Sequence, residues 1–381
     1  MPGMTKEMKE KKKERKFSLN QIYFYLTEGC NLRCRHCWIA PKYQSRRNSY
    51  ASLSLELFQS IIKQAKPLGL SSVKLTGGEP LLHPQVHEIL GEIRSQELRL
   101  VVETNGLLCT KGLAREMATC KNPFVSVSLD GSEAETHEWM RRVPGSFEQA
   151  LEGIQNLVKA GFKPQIIMTI TRRNKDEIQA IVRLAESLGA GSVKFNVLQP
   201  TARGEEMHKA GETLTIEELV QLGRWVENSL SASTSLRLFF SHPLAFRPLS
   251  KMFGDDGDGC HTCGILGILG VLADGSYALC GIGETVPELV FGHAAKKSLE
   301  DIWENTSVLR QLREGLAERL EGICGECLMQ SRCLGHCVAQ NYYLSKSLFS
   351  PYWYCEEASL RGLFPKSRLQ PKESAKLECK I

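Results

Sequence analysis

The segment Cys30-Asn-Leu-Arg-Cys34-Arg-His-Cys37 holds three thiols within eight residues, spaced x3 and then x2. Four thiolates saturate a [4Fe–4S] cube, so three leave one iron without a protein ligand. An open iron can bind a small molecule and pass it an electron. The other chemistry open to this spacing is a structural zinc knuckle, completed by His36 or by a distant cysteine. A second group lies toward the C-terminus: Cys260-x2-Cys263, then Gly275-x4-Cys280, then Cys324-x2-Cys327-x5-Cys333-x3-Cys337, and finally Cys355. Those eight cysteines suffice for two fully ligated cubes, or for two zinc sites. Cys109, Cys120 and Cys379 stand apart and read as ordinary thiols, since a buried cysteine behaves as a small hydrophobe.

Such chemistry needs a scaffold that brings loops together. Short apolar runs at 22–26, 72–75, 98–103, 124–129, 164–171 and 192–198 read as strands. Amphipathic segments at 53–66, 84–95, 111–118, 147–160, 175–188 and 215–229 read as the helices that follow them, with Ser54 and Ser146 as caps. Six β-then-α units without hairpin signals predict a parallel sheet or an incomplete barrel, α/β in class. Right-handed crossovers then put all strand C-termini on one edge, where ligand sites of such folds collect. The cysteine loop leaves the first strand on that edge. The second strand ends in Thr76-Gly77-Gly78-Glu79-Pro80, a turn whose glycines admit a ligand close to backbone and whose Glu79 can accept from an ammonium. Strand three ends at Asn105-Gly106 and strand four at Ser128-Leu-Asp130-Gly131, small polar residues suited to ribose hydroxyls or simply to turns.

Length and composition bound the rest. The chain has 381 residues, 42% hydrophobic, enough for a barrel-sized domain and a smaller one. The first sixteen residues carry seven Lys/Arg and three Glu, so +4 of the formal +5 lies in a basic tail. That tail lacks the apolar core of a signal peptide, which points to the cytoplasm and disfavours a disulfide framework. No apolar run reaches membrane-spanning length, and nucleic-acid binding has no support beyond the tail. Past residue 235 the βα rhythm stops, and Gly254-Asp-Asp-Gly-Asp-Gly259 marks a loop. The expected organisation is a basic disordered tail at 1–17, a barrel at 18–235, a cysteine-rich domain at 236–365 and a polar tail at 366–381.

The first cysteine triplet after a strand, followed one unit later by Gly-Gly-Glu-Pro, resembles radical S-adenosylmethionine (SAM) enzymes. The order and spacing of the later cysteines resemble the SPASM extension found in part of that family. The tracts Tyr25-Leu-Thr-Glu-Gly-Cys30 and Val193-Lys-Phe-Asn-Val-Leu-Gln-Pro-Thr-Ala-Arg203-Gly204 are similar to SynChlorMet-cassette radical SAM/SPASM proteins. The resemblance implies a partial (β/α)6 TIM-like barrel followed by a small SPASM domain. It implies SAM and a SAM-binding [4Fe–4S] cluster on Cys30, Cys34 and Cys37, with two auxiliary [4Fe–4S] clusters. One of these would sit on Cys260, Cys263, Cys280 and Cys337, the other on Cys324, Cys327, Cys333 and Cys355. Gly77, Gly78 and Glu79 would hold the methionyl amino group, and Arg141 of the Arg141-Arg142 pair its carboxylate. His36 would lie beside the adenine, and Ser128 and Asn105 near the ribose.

The implied activity is peptide maturation: a 5′-deoxyadenosyl radical abstracts hydrogen from a ribosomally made precursor peptide, and an auxiliary cluster takes up an electron as a new bond forms. The residue after Cys280 is glycine, not the aspartate of sulfatase-maturing members, which disfavours that activity. Two other readings stand beside it: a radical SAM/SPASM enzyme acting on a tetrapyrrole or metal-cofactor precursor, and a non-catalytic zinc or iron–sulfur interaction protein. The expected partners are the precursor peptide, a flavodoxin- or ferredoxin-type reductant and a separate leader-binding protein, since the first barrel strand begins near residue 21.

Overall fold

The computed structural model describes residues 17–45, 50–253 and 262–371. The basic tail, the Gly254–Gly259 loop, Cys260 and Cys379 lie outside the described residues. Among the described residues, no helix is long and apolar enough to cross a membrane.

The six expected strands form and pair in parallel: β1 (Gln21–Tyr25), β2 (Ser72–Thr76), β3 (Arg99–Thr104), β4 (Lys121–Ser128), β5 (Gln165–Ile170) and β6 (Ser192–Val197). Alternation is clearest in β5, where Ile166, Met168 and Ile170 are buried under the outer helices. The connecting helices bury one stripe each, as period 3.6 requires. In α1 (Leu55–Ala65) the stripe is Phe58, Ile61, Ile62 and Ala65, and Ser54 caps it by accepting from the Leu57 amide at 3.2 Å. The remaining helices that follow strands are α2 (Val86–Ser95), α3 (Lys111–Ala118), α4 (Ala134–Arg141), α5 (Ser146–Lys159), α6 (Ile178–Ser187), α7 (Arg203–Lys209) and α8 (Ile216–Trp225). The cap expected at Ser146 is not made. Gly145, at φ +76°, takes the position before α5, and the Ser146 hydroxyl is buried inside the first turn.

The sheet is larger than the six strands read from sequence. A seventh parallel strand, β7 (Arg237–Phe240), pairs with β6. At the other edge β8 (Ile268–Val271) pairs in parallel with β1, with Phe24 opposite Val271. The antiparallel strands β9 (Ser276–Ala278) and β10 (Val290–His293) complete a ten-stranded sheet in the order β10-β9-β8-β1-β2-β3-β4-β5-β6-β7. The cysteine-rich region is thereby joined to the barrel through main-chain pairing beside β1, the strand that launches the Cys30 loop.

Candidate active site

The C-terminal ends of β1 to β6 open into one cavity of about 200 Å³. Cys30, Cys34 and Cys37 line it, as do His36, Gly77, Gly78, Glu79, Asn105, Ser128 and Arg141. Every described residue predicted for the first cluster and for SAM is therefore at one site.

The cysteine loop is fixed from two sides. Its backbone donates to α4, from Arg33 N to Arg141 O at 3.1 Å and from Arg35 N to Met140 O at 2.9 Å. On the other side the Gly77-Gly78 turn packs against its first residues. Gly77 has φ +126°, a region that favours glycine. A Cβ on Gly78 would lie 1.9 Å from Gly29 O, immediately before Cys30. Gly78→Ala is expected to cost about 2 kcal/mol or more, as an overpacked backbone contact does, and to lower the iron content of reconstituted protein. Denaturant unfolding and iron assay read the two effects.

Glu79 is almost fully buried, yet its carboxylate is well supplied with donors. Thr104 Oγ1 donates to Oε1 at 2.7 Å, Leu81 N to Oε1 at 3.1 Å and Asn105 N to Oε2 at 2.8 Å. Burial nonetheless prevails and raises its pKa to about 7, with those three donors opposing. Asn105 also ties this turn to the cysteine loop, its Nδ2 donating to Asn31 Oδ1 at 2.7 Å.

Arg141, last residue of α4, is buried, whereas Arg142 is exposed with φ +60°. Arg141 Nη2 lies 2.7 Å from Asp130 Oδ2, and its Nη1 donates to Cys34 Sγ at 3.4 Å. Asp130 is fully buried; burial would raise its pKa, but Arg141 leads the opposing effects and the carboxyl is held below the usual range. Asp130 Oδ1 accepts from Thr169 N at 2.9 Å, and Oδ2 lies 3.7 Å from His36 Nε2. Burial lowers the His36 pKa to about 4, so the ring is neutral at pH 7. Asp130 thus joins β4, α4, β5 and the cysteine loop, a role the sequence reading did not give it.

Other residues that sequence reasoning passed over are charged side chains inside strands. Lys74 and Glu103 face each other at 2.7 Å, and Lys194 lines the cavity from β6. Arg203 reaches it from the start of α7. The available signal was a lone charge flanked by apolar residues in a strand, as in Val193-Lys194-Phe195.

The later cysteines form two groups. Cys263, Cys280 and Cys337 act on one another electrostatically; Cys260 of the same expected set is outside the described residues. Cys324, Cys327, Cys333 and Cys355 all line one small apolar cavity, and Cys324 and Cys355 are hydrogen-bonded. Cys109 and Cys120 are buried elsewhere.

A family model for the Radical SAM superfamily matches residues 24–185, and one for the SPASM iron-sulfur cluster-binding domain matches 260–328. The chain belongs to the radical SAM superfamily and carries a SPASM domain; it is an enzyme of SAM and iron–sulfur chemistry. It is 31% identical to the AdoMet-dependent heme synthase of Methanosarcina barkeri over 342 residues, 88% of this chain and 95% of the relative. It is 28% identical to mycofactocin maturase MftC of Mycobacterium tuberculosis over 355 residues, 92% of this chain and 86% of the relative. Streptococcus suis SuiB bound to S-adenosylmethionine shares the fold, with TM-score 0.69 at 18% identity over 89% of this chain and 77% of that one.

The residues present suit those cofactors. Three sulfurs face one cavity, with N–H groups directed at two of them: Leu32 N to Cys30 Sγ and Arg141 Nη1 to Cys34 Sγ, both at 3.4 Å. Such donors stabilise anionic sulfur. Burial pushes the free Cys30 and Cys34 thiols up, which metal ligation reverses by deprotonating them outright. Among the described residues no three His, Cys, Asp or Glu side chains converge on a single metal-ion position; thiolates on separate corners of a cube have no need to.

Proposed function

We propose that this enzyme modifies a ribosomally made precursor peptide, removing hydrogen from a peptide carbon and forming a new bond oxidatively. The observation that carries this reading is the similarity to a maturase along 92% of the chain. SuiB, which shares the fold, has been crystallised with the precursor peptide SuiA.

In this reading Cys30, Cys34 and Cys37 hold the SAM-binding cluster. Cys260, Cys263, Cys280 and Cys337 hold one auxiliary cluster, and Cys324, Cys327, Cys333 and Cys355 the other. When bound, SAM and its cluster supply a 5′-deoxyadenosyl radical. Glu79 receives the methionyl ammonium in a site where its oxygens are already oriented. Arg141, held by Asp130 and donating to Cys34, is the residue that would take the methionyl carboxylate. His36, neutral, offers a flat apolar face to the adenine, and Asn105 and Ser128 border the ribose. A reductant of flavodoxin or ferredoxin type and a separate leader-binding protein belong to the same reading.

Glu79→Gln is expected to weaken SAM binding about 10- to 100-fold, the worth of one charge-assisted contact. In the parent enzyme affinity should fall as pH drops through about 7 and Glu79 takes up a proton. The variant should lack that dependence. Equilibrium dialysis of SAM against reconstituted protein between pH 6 and 8 measures both.

The function is tested by anaerobic incubation of reconstituted enzyme, SAM and reductant with short peptides encoded beside its gene, read by intact mass. A SAM-dependent mass change supports the proposal. The similarity to heme synthase, 31% over 88% of the chain, favours a second reading with a tetrapyrrole substrate. Iron-coproporphyrin in the same assay separates the two.

A further inference from the structure

Two cations on the cavity wall have no carboxylate of their own, and the negative charge of Cys30, Cys34 and Cys37 is committed to the cluster they would hold. The wall's two carboxylates are engaged: Glu79 accepts from Thr104, Leu81 and Asn105, and Glu103 pairs with Lys74 at 2.7 Å. Asp130, just behind the wall, is paired with Arg141. Two cations remain, Lys194 and Arg203. Among the described residues, no carboxylate lies within ion-pair distance of either; Arg203 Nε and Nη2 are moreover buried without a hydrogen-bond partner. For Arg203 that burial is costly, and an entering anion removes the cost. Lys194 is part-buried and feels Glu103 and Cys263 without pairing with either, so an entering carboxylate would be its first direct partner.

SAM brings one carboxylate, which Arg141 would take, so Lys194 and Arg203 need separate assignments. Arg203 opens α7, whose Gly204 approaches the His36 carbonyl, and its charge acts on the His36 ring. It therefore belongs to the side of the cysteine loop, where SAM is expected. Lys194 lies among Glu103, Lys74 and Cys263, on the side of the auxiliary cysteines, and burial draws its pKa down.

We propose that Lys194 is a substrate-specificity residue that receives a carboxylate of the substrate, and so fixes which neighbouring C–H faces the radical. This deepens the proposed function and rests on it for the placing of SAM. A peptide C-terminus, an acidic side chain and a tetrapyrrole propionate share this chemistry.

The test uses the full chain, reconstituted and loaded with SAM, with radiolabelled propionate as probe in anaerobic equilibrium dialysis. Saturable propionate binding is expected, with propionamide failing to compete. Lys194→Met should weaken it about tenfold or more, the loss of one charged hydrogen bond. Lys194→Arg, which keeps the charge and guards against a folding defect, should stay within about threefold. Binding absent from the parent protein, or unchanged in Lys194→Met, overturns the proposal. Competition then identifies the source. Displacement by a peptide with a free C-terminus, but not by its amide, assigns the anchor to a peptide end. Displacement by both peptides assigns it to an acidic side chain, and displacement by iron-coproporphyrin alone to a propionate. Displacement by none of these overturns the assignment to substrate. Because propionate binding requires no turnover, the peptide reading can fail by mass spectrometry while Lys194 still binds a carboxylate, and the reverse.

Discussion

Replacing Cys30, Cys34 and Cys37 together by alanine is expected to abolish reductive cleavage of SAM while about two-thirds of the iron remains, two clusters of three. The three sulfurs line the cavity formed by the strand ends. The two later groups lie apart from this triplet, and Cys324, Cys327, Cys333 and Cys355 line a cavity of their own. Losing the first cluster should therefore leave the others loaded. Replacing Cys327 or Cys333 should do the converse, sparing deoxyadenosine formation while blocking the modified product. Iron and sulfide assay together with chromatography of deoxyadenosine read both outcomes. A triple variant that still cleaves SAM, or that loses all its iron, would show that the cysteines do not divide in this way.

Arg141→Met should produce the largest loss of stability among single substitutions in the cavity. The guanidinium pairs with Asp130 at 2.7 Å, and both side chains are buried. Removing the cation leaves an uncompensated buried carboxylate, which costs about 3–5 kcal/mol. It also removes the donor to Cys34 Sγ, so cluster loading should fall alongside. Arg142→Met serves as the control, because that side chain is exposed and its effect should stay within about 0.5 kcal/mol. Anaerobic thermal unfolding compares the two. Equal behaviour of the two variants would mean that the buried Arg141–Asp130 pair does not stabilise the fold.

Where local chemistry decided the outcome, the sequence was a good guide. The triplet spacing, the Gly-Gly-Glu turn and the order of the later cysteines each carry their meaning within a few residues. The six apolar runs became the six strands because each alternates or runs apolar between turn residues. What was hidden depends on partners distant in sequence. Strand β7 follows a helix that ends in a π turn at Val226–Leu230, and Arg237–Phe240 is too short to announce itself. Strand β8 is apolar enough to be read as a strand, but nothing local tells it to pair with β1 some 245 residues earlier. Asp130 looked like a turn residue because its partners, Arg141, Thr169 and His36, come from three other elements. Lys194 is a charge in an apolar strand, and its meaning appears only once the cavity's carboxylates are seen to be engaged.

The central claim is that a peptide carbon supplies the hydrogen. The most direct measurement is anaerobic turnover with a deuterated cognate peptide, followed by mass spectrometry of the deoxyadenosine formed. Deuterium in deoxyadenosine, appearing with a SAM-dependent change in peptide mass, is the predicted result. Deoxyadenosine free of deuterium over an unchanged peptide, with iron-coproporphyrin consumed under the same conditions, would contradict the claim and make the tetrapyrrole the substrate.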